Sequence, residues 1–309
     1  MSEISLRDQV AIVTGAARGL GRSYALELAG LGAAVVVNDV PGSEKTGDVV
    51  AEIERRGGQA VASLHSVGTR DGGRAIVEDA LARFGRVDIV VNNAGFLRNA
   101  FFEGLTDEKL ADIFDVHLKG VFHVSQPAFA QMRKSGYGRV VNVSSNTSFG
   151  MGGLINYATA KAGIIGLTKS LALEGAEHGI LVNCVLPNAR TPIMVDDPIP
   201  GFENDTRFMD AFRGVSDRFD PELVAPLVAF LASPGCELTG EALSSLGGRY
   251  ARVFYGVSEG WMSPPSSSVG ADDIARHIDE IMDSDEFFIP VQIRDEFEQV
   301  AARLSPRTA

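Results

Sequence analysis

Tyr157 and Lys161 are two residues whose types and spacing could support proton transfer. They lie four residues apart in the segment NYATAK, residues 156–161, so on a helix they would share one face, about one turn from each other. A free tyrosine has a pKa of about 10, and a cation held close to it favours the phenolate and lowers that pKa. The pair could therefore act as a general acid or base. The simpler alternative is an amphipathic helix that carries both side chains on its surface.

A run typical of a buried strand precedes this helix. Residues 139–143, RVVNV, lead directly into Ser144 and Ser145. A hydroxyl group at the end of a strand, close in sequence to a helix with this Tyr and Lys, indicates a site rather than unrelated surface residues.

A glycine-rich turn near the N-terminus has the context of a phosphate-binding site. A short apolar run at Val10–Thr14 is followed by Gly15, Gly19 and Gly21, and then by a helical pattern that extends to about Leu31. Glycines let the backbone approach a pyrophosphate, and a helix N-terminus supplies N–H donors and the positive end of the helix dipole. The spacing is GxxxGxG rather than GxGxxG, and the alternative is a structural tight turn.

Asp39 ends the next strand-like run, about twenty residues after the glycine turn. A carboxylate at this place can accept hydrogen bonds from both ribose hydroxyls of an adenosine and would repel a 2′-phosphate. The predicted cofactor is therefore NAD rather than NADP. Two alternatives stay open: Asp39 could be a solvated loop residue, and Arg18, inside the glycine turn, could meet a phosphate instead.

The segment NNAG, residues 92–95, ends a further strand-like run. The amides of Asn92 and Asn93 can connect neighbouring strand ends, and Gly95 would let a cofactor come close. A structural role and a cofactor-lining role are both open.

Short apolar runs alternate with helical patterns along most of the chain. The predicted strands are Val10–Thr14, Ala33–Asn38, Ala60–Leu64, Val87–Asn92, Arg139–Ser144, Ile180–Leu186 and, at an edge, Glu241–Leu246. The predicted helices include Glu44–Arg56, Asp71–Phe84, Thr106–Lys134, Tyr157–Glu177, Pro221–Ser233, Asp272–Met282 and Ile293–Leu304. This order predicts an α/β fold, a doubly wound (Rossmann) and mostly parallel sheet with helices on both faces. We expect one domain at residues 1–262, with a possible lid at 188–220, and a helical C-terminal extension at 263–309.

The composition is that of an ordinary globular enzyme and excludes several other classes of protein. The 309 residues are 45% hydrophobic and carry a net charge of −12, which argues against nucleic acid or an anionic membrane as the main partner. Cys184 and Cys236 have no CxxC or histidine spacing, so neither a disulfide framework nor a zinc site is predicted. The apolar runs are shorter than the roughly 18 residues of a membrane span. A cytoplasmic location is the default expectation.

Together these motifs resemble the ordered motif set of the short-chain dehydrogenase/reductase family, over residues 6 to about 262. The matching segments are TGxxxGxG at 14–21, NNAG at 92–95, the double serine at 144–145 and YxxxK at 157–161. Within the family, further segments resemble the (3R)-hydroxyacyl-CoA dehydrogenase part of peroxisomal multifunctional enzyme type 2 and its bacterial single-domain relatives. These segments are VND at 37–39, NAGFLR at 93–98, VHLKG at 116–120 and PNAR at 187–190.

The resemblance implies a role for each matching residue. Tyr157 would be the general acid or base, Lys161 would lower its pKa and hold the nicotinamide ribose, and a serine would hydrogen-bond the substrate oxygen. Hydride would pass directly to or from the nicotinamide, so no metal is expected. The residues expected to bind NAD are Gly15, Arg18, Gly19, Leu20, Gly21, Asp39, Ser66, Val67, Asn93, Ala94, Gly95, Tyr157, Lys161, Pro187, Asn188 and Thr191.

Three positions depart from the family pattern. His117 stands where most members have an asparagine that serves a water relay to the lysine; an imidazole can also donate and accept, and the alternative is a purely structural histidine. Ser66 stands where many relatives have an aspartate against the adenine. The family spacing to Tyr157 selects Ser144 as the catalytic serine, whereas the order within the pair selects Ser145, which we favour because a loop can absorb a deletion.

The resemblance implies an oxidoreductase that transfers hydride between NAD(H) and a secondary alcohol or ketone, with a 3-hydroxyacyl-CoA/3-oxoacyl-CoA pair as the leading substrate. One alternative is a hydroxysteroid or other bulky secondary alcohol, held in a pocket of Phe96, Phe101, Phe102 and Phe149. An alternative of another class is a non-catalytic NAD(H)-binding sensor, although such proteins commonly lose the Tyr/Lys pair. The two longest predicted helices could pair with their copies, as in relatives, giving a homodimer or homotetramer.

Overall fold

A computed structural model of the chain describes residues 4–191, 199–201, 204–264 and 268–304. Its residues group into two compact units, Met1–Arg252 and Val253–Ala309. The division into domains after residue 262 stays a prediction.

Eight strands form one sheet, in the order β3-β2-β1-β4-β5-β6-β7-β8, and all of their residues except Val253 belong to the first unit. They are β1 Val10–Val13, β2 Ala34–Asp39, β3 Gln59–Leu64, β4 Ile89–Asn92, β5 Gly138–Val143, β6 Ile180–Asn188, β7 Ala242–Leu246 and β8 Arg249–Val253. The pairings from β3 through β7 are all parallel. The strand order reverses between β1 and β4, the point at which sheets of this kind bind ligands at their carboxyl ends.

Helices cover both faces of this sheet. They are α1 Gly19–Gly30, α2 Lys45–Arg55, α3 Arg70–Phe84, α4 Asp107–Phe114, α5 Gly120–Ser135, α6 Ile155–Gly175, α7 Thr206–Val215 and α8 Ala225–Ala232. Alternate strand residues belong to different cores: Val13 and Val37 pack with α1, α2 and α8, whereas Ile12 and Val36 pack with α3, α5 and α6. Because a strand turns successive side chains to opposite faces, and both faces are covered here, runs such as VAIV in β1 and AVVV in β2 are apolar throughout. The predicted doubly wound α/β fold is confirmed.

The predicted helix Thr106–Lys134 is wrong in one respect, because it is not continuous. Thr106 does cap its start, accepting a hydrogen bond from the Lys109 amide at 3.3 Å. Between α4 and α5, however, Asp115–Lys119 forms a π-helical segment. Such segments insert a residue into a helix and occur frequently at functional sites. This one contains His117.

Two further sequence predictions in the first unit need correction. Strand β7 is not at the edge of the sheet, because β8 follows it and pairs on its outer side. The region proposed as a lid contains α7, which the sequence analysis missed, while residues 192–198 and 202–203 of that region lie outside the described residues.

The second unit contains a two-stranded antiparallel sheet of β9 Val257–Ser258 and β10 Phe287–Phe288. Its helices are α9 Ala271–Arg276, α10 Ile278–Met282 and α11 Ile293–Leu304. The predicted helix Asp272–Met282 is thus divided at His277, whose ring stacks on Trp261 with centroids 4.2 Å apart. None of the helices in the described ranges of the chain combines the length and the apolarity needed to span a bilayer.

Candidate active site

A cleft of about 400 Å³ lies where β1 to β6 end. Each of these strands contributes residues at or just beyond its carboxyl end, which is the expected place for a ligand in a doubly wound sheet. All the residues predicted above to be catalytic or to bind the cofactor line this cleft. The structure therefore brings together what the motifs had suggested, and the role of each residue follows from its local geometry.

The glycine turn between β1 and α1 has room for backbone only. Gly15 and Gly19 have φ values of +63° and +56°, a region that side chains other than glycine rarely adopt. A Cβ atom at Gly21 would lie 2.2 Å from the Gly15 carbonyl oxygen, and one at Gly15 would lie 2.7 Å from Cα of Ala94. The N-cap residue, Arg18, gives α1 no side-chain capping hydrogen bond. A turn of this shape, open to the cleft at a helix N-terminus, fits a pyrophosphate group.

Asp39 ends β2 beside this turn and is held by two backbone amides. Its Oδ2 accepts a hydrogen bond from the Ala17 amide at 3.0 Å, and its Oδ1 accepts one from the Val40 amide at 2.8 Å. These bonds tie the glycine turn to the end of β2 and leave the carboxylate among the residues that line the cleft. The alternative in which Asp39 is only a solvated loop residue does not agree with these hydrogen bonds.

Asn92 and Asn93 connect the ends of neighbouring strands, which agrees with the structural role considered for them above. Asn92 Nδ2 donates to Asn142 Oδ1 on β5 and to Ser125 Oγ on α5, both at 2.8 Å. Asn93 Nδ2 donates to the carbonyl oxygen of Thr14 at 2.9 Å. Hydrogen bonds therefore connect the strand ends beneath the cleft to one another.

The two serines that follow β5 have different partners. Ser144 is buried, and its Oγ donates to the backbone carbonyl of Lys161 at 2.7 Å. The Ser145 side chain lies near Tyr157 and, against the larger effect of burial, lowers the pKa of that phenol; its Oγ accepts a hydrogen bond from the Thr147 amide at 3.2 Å. Of the two, Ser145 is the serine whose hydroxyl lies beside the Tyr157 hydroxyl.

Tyr157 and Lys161 both lie in the first turns of α6, but the expected effect of the lysine on the tyrosine is not found. Burial raises the pKa of Tyr157 to about 12, an effect that the hydrogen bond with Ser145 partly opposes. Burial also lowers the pKa of Lys161 to about 8. The ammonium donates to the carbonyl of Val143 at 2.6 Å and lies 5.5 Å from the centroid of the Tyr157 ring. Desolvation therefore dominates both groups, and the phenol is neutral at physiological pH.

His117 is buried in the π-helical segment, with its ring edge-on to the ring of Tyr157. The two centroids are 5.1 Å apart, and the planes are inclined at 84°. Nε2 lies 2.7 Å from the carbonyl oxygen and 3.1 Å from the amide of Phe96, whereas Nδ1 has no hydrogen-bond partner among the described residues. Burial, followed by the nearby charge of Lys161, holds the pKa of His117 well below its usual value. The ring is therefore neutral.

The position of the His117 ring requires a glycine at residue 95, independently of any bound ligand. A Cβ atom at Gly95 would lie 2.2 Å from Cε1 of His117. From the sequence, only the close approach of a cofactor was predicted for Gly95.

The apolar wall of the cleft is largely different from the one the sequence predicted. Phe96 lines the cleft, but Phe101, Phe102 and Phe149 are exposed by 55%, 75% and 66% and do not line it. The apolar lining that was not predicted from the sequence includes Leu97, Met151, Leu154, Ile199, Phe208 and Phe212. The four-residue spacing of Phe208 and Phe212 on α7 was the available signal.

Comparisons with known proteins agree with this fold and cleft. A family model described as short chain dehydrogenase matches residues 9–197. A Mycobacterium tuberculosis protein described as a short-chain type dehydrogenase/reductase is 40% identical over 289 residues, which cover 90% of this chain and 95% of that protein.

Peroxisomal multifunctional enzyme type 2 of Drosophila melanogaster is 40% identical over 267 residues, which cover 84% of this chain but only 42% of that enzyme. The solved structure of the full-length Drosophila enzyme matches with a TM-score of 0.79 and 30% identity, covering 97% of this chain and 50% of that one. This chain is thus similar to one part of a longer enzyme. From its fold, its motifs and these matches, the chain belongs to the short-chain dehydrogenase/reductase family of oxidoreductases.

Proposed function

We propose that this protein transfers hydride between NAD(H) and a 3-hydroxyacyl-CoA/3-oxoacyl-CoA pair. The observation that carries the proposal is that Ser145, Tyr157 and Lys161 line one cleft together with the glycine turn. The resemblance of several segments to a (3R)-hydroxyacyl-CoA dehydrogenase supports the substrate class. The apolar wall formed in part by Phe208 and Phe212 suits an acyl chain.

The chain's own residues would manage the proton. During reduction the neutral phenol of Tyr157 gives its proton to the carbonyl oxygen of the substrate, and during oxidation the phenolate takes the proton back. Ser145 donates a hydrogen bond to that same oxygen and so orients it beside Tyr157. Lys161, in the same cleft, would hold the nicotinamide ribose, the second role that the family resemblance implies for it. A bound nicotinamide supplies or accepts the hydride.

The cofactor would be held by residues whose positions fit it. Gly15, Gly19 and Gly21 leave space for the pyrophosphate at the N-terminus of α1. The carboxylate of Asp39 would accept hydrogen bonds from the adenosine ribose and repel a 2′-phosphate, so we propose NAD rather than NADP. Asn188 and Thr191, at the end of β6, would contact the nicotinamide end.

We also propose that the protein forms a homo-oligomer through α5 and α6. Phe122 on α5 and Leu173 on α6 are 54% and 50% exposed in the isolated chain, and large apolar side chains on neighbouring helices favour association. Light scattering coupled to gel filtration should give the mass of a dimer or tetramer, and a monomer would contradict this.

The catalytic proposal is tested by NADH formation with purified protein and a panel of (3R)-hydroxyacyl-CoAs, hydroxysteroids and simple secondary alcohols, each with NAD and with NADP. We expect turnover of the hydroxyacyl-CoAs with NAD. Tyr157→Phe should bind NADH, measured by its fluorescence, without turnover. Turnover of steroids alone would move the substrate assignment to bulky alcohols. NADH binding without turnover of any substrate would contradict the enzyme and favour a sensor.

A further inference from the structure

Asn156, directly before Tyr157, joins three segments of the active site through one buried side chain. It is 1% exposed. Its Nδ2 donates to the carbonyl oxygen of Arg98 at 3.0 Å and to that of Lys109 at 3.2 Å, while its Oδ1 accepts a hydrogen bond from the Tyr157 amide at 2.8 Å. These contacts connect the loop after β4, helix α4 and the first turn of α6.

The bond to the Tyr157 amide replaces a missing helix cap. The first amides of an α-helix have no carbonyl partner within the helix and need one from elsewhere. Leu154, at the N-cap of α6, has no side chain that could serve. The first backbone bond of this turn is the one from the Ala158 amide to the Leu154 carbonyl, at 2.8 Å. The Tyr157 amide lies just before it and takes its partner from Asn156.

The contacts of Asn156 also close a ring around the Tyr157 side chain. The Tyr157 ring packs on His117, Nε2 of His117 contacts the backbone of Phe96, and the chain then runs to Arg98. The Arg98 carbonyl returns to Asn156 and so to the Tyr157 backbone. A displacement of the loop at 96–98 would therefore move the Tyr157 phenol in two ways. One is through the contact between the His117 and Tyr157 rings, and the other is through the N-terminal end of α6.

We propose that Asn156 is a positioning residue that holds the Tyr157 hydroxyl in place relative to the loop at 96–98 and helix α4. This inference rests on the proposed function, because it assigns Tyr157 the proton transfer. Asparagine suits the position since its amide offers two donors and one acceptor in one plane. An aspartate would turn carboxylate oxygens toward two carbonyl oxygens, and an alanine would leave three backbone groups without this partner.

The test compares Asn156→Asp and Asn156→Ala with a matched control, Asn183→Ala. Asn183 is also 1% exposed, donates to the Leu238 carbonyl at 2.6 Å and accepts from the Glu241 amide at 3.2 Å, but it does not line the cleft. The rate constant kcat is normalised to the concentration of NADH-binding sites, so that unfolded molecules do not contribute. We expect both Asn156 variants to lose about 10- to 100-fold in kcat with an unchanged Kd for NADH, and Asn183→Ala to lose thermal stability alone.

A second measurement needs no substrate. The protein has five tyrosines, so labelling with ¹³C at tyrosine Cζ should give five signals in the NMR spectrum. The signal that is missing from the spectrum of Tyr157→Phe is that of Tyr157. The Asn156 variants should shift or broaden that signal, and Asn183→Ala should not. An unchanged signal together with wild-type kcat per binding site would overturn the proposal and leave Asn156 a purely structural residue. If the wild-type protein turns over no substrate, the proposed function fails while the spectrum still tests the role of Asn156.

Discussion

The hydroxyl of Ser144 donates to the backbone carbonyl of Lys161 at 2.7 Å and so fastens helix α6 to the end of β5. Ser145, the next residue, lies in the cleft near Tyr157 instead. Adjacent residues of an extended segment point to opposite sides. One serine therefore supports the helix that carries the Tyr/Lys pair, and the other lies within reach of the reacting oxygen.

Substitution of the two serines should separate these roles. Ser145→Ala removes a donor to the substrate oxygen and should lower kcat by about 10²- to 10³-fold. Ser144→Ala should keep most of its kcat but lose about 1 kcal/mol in the free energy of unfolding, because one buried hydrogen bond is lost. Steady-state kinetics and urea denaturation measure both effects. A large loss of kcat in Ser144→Ala, with Ser145→Ala active, would reverse the assignment.

If Asp39 repels a 2′-phosphate as proposed, Asp39→Asn should shift the cofactor selectivity toward NADPH. The amide keeps an oxygen that can accept the bond from the Ala17 or Val40 amide, but it removes a charge that would repel the 2′-phosphate. A pair of like charges about 4 Å apart interacts by roughly 1 to 4 kcal/mol, depending on exposure to water. We therefore expect the ratio of kcat/KM for NADPH to that for NADH to rise about tenfold or more. Asp48→Asn, which removes an equal charge from α2, is the control and should leave the ratio unchanged.

Gly95→Ala should destabilise the protein because its methyl group would collide with His117. A Cβ atom there would lie 2.2 Å from Cε1 of the imidazole, and overpacking of this kind typically costs about 1 to 3 kcal/mol. Gly104→Ala, where a Cβ would meet no atom within 4 Å, is the matched control for thermal denaturation. In a double-mutant cycle, His117→Ala should recover part of the loss. Strict additivity of the two substitutions would show that the collision is relieved in another way.

Lys161→Met should make the protein more stable and inactive. The folded-state pKa of Lys161, about 8, is below its ordinary value of 10.5, so keeping the buried ammonium charged costs on the order of 3 kcal/mol at neutral pH. Loss of the hydrogen bond to the Val143 carbonyl offsets part of this stabilisation. The free energy of unfolding should therefore increase by about 1 to 3 kcal/mol.

The pH dependence of that gain has a definite sign. Between about 8 and 10.5 the unfolded chain binds more protons at Lys161 than the folded chain, so wild-type stability rises with pH through this group. The advantage of Lys161→Met should therefore be complete below pH 8 and shrink as the pH rises above it. Denaturation curves at neutral and alkaline pH measure this, and a pH-independent difference would contradict the buried charge.

Much of the fold could be predicted from the sequence because its signals are local. Val35, Val36 and Val37 are apolar without alternation, which is typical of a strand covered on both faces. The glycines of the β1–α1 turn reflect contacts a few residues apart. Since the carboxyl ends of parallel strands meet at one edge, the motifs at these ends also predicted which residues line the cleft.

What the sequence did not predict depends on contacts between distant segments. The different surroundings of Ser144 and Ser145 depend on how the end of β5 meets α6, which no spacing rule expresses. Phe101 and Phe102 are aromatic and close to the site in sequence, yet they are exposed. The pKa of Tyr157 follows from burial, which a pair of residues four apart cannot reveal.

The π-helical segment at Asp115–Lys119 has a geometric consequence for the helices on either side of it. One extra residue in a helix rotates everything beyond it by about 100° relative to an uninterrupted helix. Helix α4 packs against α6, whereas α5 packs against α3. In an uninterrupted helix the two contact faces would be rotated by about 100° relative to each other, compared with their present positions. Deleting one residue from the segment would therefore turn the packing face of α4 or of α5 away from its neighbouring helix. The active site thus depends on the length of this segment as well as on its residue types.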